Sequence, residues 1–208
     1  MDVRSPKQRI RTVAVAGHGV AAWSAAAAFA KRVPTVTVAV VPVPGSASSM
    51  ADVLGGTVPS VRDFHRDIGV DERHLMASTG GSFRLGCQFA DWTGPGSSYV
   101  HAFGKHGFEM GAAGFHHHWL HTLRGGEVPP FDVFSPAAML GRHGRFLPAE
   151  LLGDPRMSTY SHALQLDPAR YRDYLHAYAR HLGVVTTAEG LTQAVPGERG
   201  VAGLRLAD

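Results

Sequence analysis

Apolar residues fall in short bursts along this chain, and glycine and proline separate the bursts. Residues 12–16 (TVAVA) are a β-branched and alanine run that predicts a strand. Gly17-His18-Gly19 interrupts the run, and an alanine-rich stretch of high helix propensity follows to about Arg32. Pro34 ends that helix. Residues 35–41 (TVTVAVV) predict a second strand, and its near-continuous apolar character suits a parallel sheet buried on both faces. The opening therefore reads strand, glycine turn, helix, strand.

Beyond it, residues 42–49 are rich in Pro, Gly and Ser and predict a loop. Val61, Phe64 and Ile68 have the spacing of a short helix closed by Gly69. Glycine recurs too often from 94 to 114 for a long regular element, whereas Phe115 to Leu123, aromatic and histidine-rich, predicts a helix. Pro129, Pro130 and Pro136 punctuate a stretch read as a connection to about Ser161. Asp167-Pro168 places an N-cap carboxylate before a proline at the first helical position, so a helix should run from there to His181-Leu182 and stop at Gly183. Tyr171, Tyr174, Leu175, Tyr178 and Leu182 form its apolar stripe. The tail from Gly183 predicts two strands around the 197–200 turn.

Composition narrows the function classes. With 208 residues, 44% of them hydrophobic and 18% charged, the chain can bury a substantial core. Its +3 charge, 20 Lys+Arg against 17 Asp+Glu, is scattered rather than striped, which argues against a nucleic-acid partner. A lone cysteine, Cys87, excludes an internal disulfide framework and is compatible with a reducing cytoplasm. Arg4, Lys7, Arg9 and Arg11 before an apolar stretch, with Ala28-Phe29-Ala30 beyond, imitate a secretory signal. Gly17, His18 and Gly19 break that stretch at the spacing of a nucleotide loop, and no segment reaches the length of a membrane span. A cytoplasmic protein with no membrane partner is expected.

The candidate chemistry starts at that loop. A strand feeding G-x-G-x-x-G/A and then a helix brings backbone N–H groups and the positive end of the helix dipole to a pyrophosphate. Gly17, Gly19 and Ala22 fill the three positions; the bland alternative is an ordinary tight turn. Such a unit usually carries an acidic side chain for the ribose at the end of its second strand, and Val40 and Val41 stand there instead. His117 and His121 could share a helix face as two metal ligands do, but no third ligand is placed with them, and adjacent histidines at 116–118 cannot all converge. No metal is expected.

Residues 79–104 (TGGSFRLGCQFADWTGPGSSYVHAFG) resemble a stretch of the flavin-dependent tryptophan halogenases, T-G-[AG]-[ST]-F-K-L-G followed by F-x-x-W-x-x-P-G-x-x-Y-x-H-P-F-G. Phe89, Trp92, Pro95, Gly96, Tyr99, His101, Phe103 and Gly104 fall in step. Arg84 takes the place of the family's catalytic lysine. The loop A-G-H-G-V-A-A-W also resembles the family's FAD loop, including its trailing Trp23, which implies FAD bound by Gly17, Gly19, Val20, Ala21 and Ala22. Residues 52–59 (DVLGGTVP) resemble the flavin-lining G-V-G-E-A-T-[IV]-P: Gly56, Thr57, Val58 and Pro59 keep its end, while Asp52 and Leu54 replace glycines and Gly55 replaces the glutamate. Val184-Val185 resemble the strand on the adenine side of the flavin nucleotide.

The resemblance implies an α/β, Rossmann-like FAD-binding fold of flavin monooxygenase type, a parallel sheet with flanking helices. Residues 1–208 would be a single FAD-binding-type domain, the N-terminal portion of a longer family fold, because the family's catalytic glutamate, halide loop and W-x-W-x-I-P signature belong beyond Asp208. The implied reaction is oxidative halogenation of a small aromatic substrate such as an indole, with oxygen, halide and reduced FAD from a separate flavin reductase. Guanidinium cannot shed its proton as a buried lysine can, so Arg84 together with the missing portion predicts impaired catalysis. Two alternatives are a non-catalytic FAD-binding or interaction module, and a flavin monooxygenase-like enzyme that needs a separate C-terminal half.

Overall fold

The computed structural model describes residues 10–44, 49–148, 160–198 and 200–207. Arg4, Lys7 and Arg9 of the signal-like segment, 45–48 of the proline-rich loop and Arg199 of the final turn lie outside the described residues. In chain order the elements are β1 (Thr12–Ala16), α1 (Val20–Arg32), β2 (Thr37–Val41), α2 (Met50–Val53), α3 (Ser60–Ile68), α4 (Glu72–Thr79), β3 (Ser82–Arg84), β4 (Gly86–Ala90) and β5 (Ser98–Ala102). They continue with α5 (Phe115–Gly125), a 3-10 turn (Phe131–Phe134), α6 (Pro136–Arg142), β6 (Ala163–Gln165), α7 (Pro168–His181), β7 (Val185–Thr186), β8 (Leu191–Gly197) and β9 (Gly200–Leu206). Two compact units emerge, one from 1–55, 65–81 and 166–208, the other from 56–64 and 82–165.

The first unit holds the parallel sheet, ordered β1-β2-β7. Thr12 pairs with Thr37 and Ala16 with Val41, and Ala39 and Val40 of β2 pair on the other side with Val185 and Thr186. The apolar run of β2 is explained by its central place: Val38, Val40 and Val41 are buried. Helix α1 packs against α7. Ala26 and Ala27 of α1 have no exposed surface, and neither do Leu175 and Ala179 of α7, so small side chains let the two helices approach closely. Asp167 caps α7 by accepting from Arg170 N at 2.8 Å, and Gly183 leaves it at φ 88°, as the Asp-Pro and glycine signals predict. The β8–β9 hairpin closes the described chain with the expected two strands.

The second unit is built of two antiparallel pairs, β3 with β6 and β4 with β5, and of the helices that follow. Ala102, Ala137, Ala138 and Tyr160 form its buried cluster, with Leu85, Val100, Leu140 and Phe146 against it. The stretch read as a connection from Pro129 to Ser161 contains a helix instead. Ser135 caps α6, its Oγ accepting from Ala138 N, and Pro136 occupies the first turn. Proline here starts an element rather than interrupting one. Among the described residues no helix is long and apolar enough to cross a membrane.

Candidate functional site

In the first unit, the chain leaves β1 at Gly17, whose φ of 142° excludes most side chains and whose N–H donates to Val41 O at 2.9 Å. A Cβ on Gly17 would lie 3.1 Å from the Cβ of Ala22, so the first and third positions of the loop are small for the same reason: strand and helix nearly touch there. Gly19 is the N-cap of α1 and offers no side-chain cap. Trp23 braces the turn, donating from Nε1 to His18 O at 2.9 Å and stacking on His176 at 4.2 Å between ring centroids. The first turn of α1 thus directs its backbone donors towards the space that Gly19 leaves without a Cβ.

An anion already sits there. The carboxylate of Asp52 accepts from Val20 N at 2.7 Å through Oδ1, while Oδ2 accepts from Ser49 Oγ at 2.8 Å and Ser49 N at 3.1 Å. A Cβ on Gly19 would come within 2.6 Å of Oδ1 and 2.8 Å of Cγ, so only glycine admits the carboxylate. Burial pushes Asp52 up, but the hydrogen bonds from Val20 and Ser49 and the Arg172 charge outweigh it and hold the carboxyl below its usual range. The donor set therefore accepts a negatively charged oxygen group, which is the property a pyrophosphate needs. In sequence Asp52 is a departure from the flavin-lining motif, and the Ser-x-x-Asp spacing of a capping box is the only signal of its role.

Of the other nucleotide-loop residues, Val20 and Ala22 are buried and Ala21 is exposed. Val40 and Val41, where the motif would place a ribose-binding carboxylate, are buried in the core. Val185 is 53% exposed and, with His176, Arg180, Gly183, Val184 and Thr186, lines an open cavity of about 520 Å³.

In the second unit, Gly56, Thr57 and Arg84 come together. Thr57 is clasped to β6: its N–H and its hydroxyl both donate to Leu164 O at 2.9 Å, and Leu164 N donates back to Oγ1 at 2.9 Å. Gly56 bridges to Gln165. The Arg84 guanidinium donates to Thr57 O at 2.8 Å and to Cys87 Sγ, and lies over the Phe103 ring with Cζ 5.6 Å from its centroid. A Cβ on Gly56 would stand 2.6 Å from Nη1, so glycine makes the room that the bulkier cation occupies. Arg84 is thereby a tethered group rather than a free cation. On α5 the His116 and His117 rings lie 3.9 Å apart between centroids, and no group of three or more His, Cys, Asp or Glu that could hold a metal forms among the described residues.

Known proteins share this fold. The family profile "Tryptophan halogenase" matches residues 12–208. BrvH, a flavin-dependent halogenase from Brevundimonas sp. BAL3, superimposes with a TM-score of 0.82 at 31% identity, over 95% of this chain and 39% of that one. Xcc4156, a flavin-dependent halogenase from Xanthomonas campestris, does so at 0.82 and 27% over 96% and 39%. The tryptophan 6-halogenase SttH from Streptomyces toxytricini shares the fold at 0.76 and 19% over 97% and 42%. The chain spans about two fifths of the length of these structures.

Proposed function

The chain belongs to the tryptophan halogenase family, and on that premise we propose that it is the FAD-binding portion of a halogenase-type flavoprotein. The observation that carries this reading is the anion held at the start of α1, since the Val20 N–H and the bare Gly19 suit a phosphate oxygen as they suit a carboxylate. Gly17, Gly19, Val20, Ala21 and Ala22 would hold the pyrophosphate, Val185 the adenine side, and Gly56 and Thr57 the flavin ring. Reduced FAD, when bound, supplies the electrons with which oxygen converts a halide into an electrophilic halogenating agent. A separate flavin reductase would provide it, and a small aromatic compound would receive the halogen.

Arg84 stands at the position of the family's lysine but cannot do what an amine does. A guanidinium keeps its proton at physiological pH, so it offers no neutral nitrogen to an oxidised halogen. Its ties to Thr57 and Cys87 favour a second reading, a non-catalytic FAD-binding module. Equilibrium dialysis against FAD tests the flavin reading: saturable binding of one FAD per chain is expected, and no binding at any FAD concentration would contradict it. Supplied with reductase, FAD, oxygen, bromide and tryptophan or indole, the chain should give no halogenated product by mass spectrometry. Product above the protein-free control would overturn the impairment.

A further inference from the structure

The pyrophosphate cradle and its occupant come from the same chain. The Asp52 carboxylate takes the Val20 N–H, the first donor that a phosphate would meet, and fills the space that Gly19 leaves bare. In the resemblance to the flavin-lining motif, Asp52 stands where the motif has a glycine. Its carrier is a short surface helix that packs on α7 and α1. Helix α2 buries no residue, and Met50 and Val53 beside Asp52 are 73% and 63% exposed. What fixes the segment at its start is the capping box of Ser49 and Asp52 and the reach to Val20. Such a segment can swing away with little loss of buried surface.

We propose that Asp52 is an autoinhibitory plug: its carboxylate occupies the phosphate site at the start of α1 and must leave before FAD, or any ligand with a phosphate there, can bind. The inference rests on the FAD reading of the loop. Two anions cannot share one set of donors, so binding requires the plug to be displaced, and the apparent affinity falls by the fraction of molecules with the site open. Moving a carboxylate off charge-assisted hydrogen bonds is the step that sets that fraction. A ligand without phosphate does not compete with it.

Isothermal titration of the native protein, Asp52→Gly and Asp52→Asn with FAD, ADP and riboflavin tests the plug. Asp52→Gly should bind FAD and ADP about tenfold or more tightly than the native protein, with riboflavin unchanged. Asp52→Asn keeps an oxygen for the Val20 N–H but not the charge, so a smaller, severalfold gain for the two phosphate ligands is expected; it serves also where the glycine variant does not fold. Equal FAD affinity across the three proteins would overturn the plug while leaving the FAD site standing. An equal gain for riboflavin would overturn it too, and failure of all three proteins to bind FAD or ADP would overturn both the plug and the FAD reading.

Discussion

His65 is 2% exposed, and its Nε2 shares a hydrogen bond of 2.7 Å with the hydroxyl of Tyr171. Burial pushes the imidazole down from 6.5 to about 4, against the opposing pull of the Glu72 carboxylate, and pushes Tyr171 up to about 12. The unfolded chain takes up its proton near 6.5, whereas folded His65 resists until about 4, so its share of stability is whole above 6.5 and drains away as the pH falls towards 4. At about 1.4 kcal/mol for each pH unit between the two states, roughly 3 kcal/mol is at stake. Urea unfolding of the native protein should therefore weaken steeply over that window, and His65→Phe should flatten the dependence; parallel curves for the two proteins would contradict it. The family motif made Arg84, Gly56 and Thr57 legible as positions in the sequence. The contact of Asp52 with Val20, 32 residues away, was not, because a capping spacing announces a local turn and says nothing of what the outer oxygen reaches.

Elements were legible where a cap and a breaker bracket a periodic run. Helix α7 has both, in Asp167-Pro168 and Gly183, and α1 and β2 have the glycine loop and Pro34 to delimit them. Asp167→Ala should thus cost about 1 kcal/mol, read as a lower urea midpoint with the fold retained, since the carboxylate satisfies one otherwise unpaired N–H at the helix start. A midpoint equal to that of the native protein would show that the cap carries no weight. Strands β3 and β6 escaped notice because each is three residues long, too short to show a period of two. Helix α4 hid behind polar residues, although Asp71 caps it and Gly80 ends it at φ 64°. Strand β5 lies within the stretch from 94 to 114 that glycine makes too irregular for a long element, and it pairs with β4, Phe89 stacking on Tyr99 at 5.1 Å.

On the scale of the whole molecule, the order β1-β2-β7 with α1 between its first two strands is a Rossmann-like arrangement, and it puts the glycine loop at the carboxyl end of β1. That placement was predictable, because a parallel sheet needs buried apolar strands and a crossover helix, and both leave their mark on composition. Ligand position is the further step that the FAD reading takes. Backbone amide shifts of the isotopically labelled protein, recorded as FAD is added, test it most directly. The largest displacements should fall on Gly17, Gly19, Val20, Ala21 and Ala22, joined by Val185. Binding that leaves those amides unmoved, or no binding at saturating FAD, would contradict it.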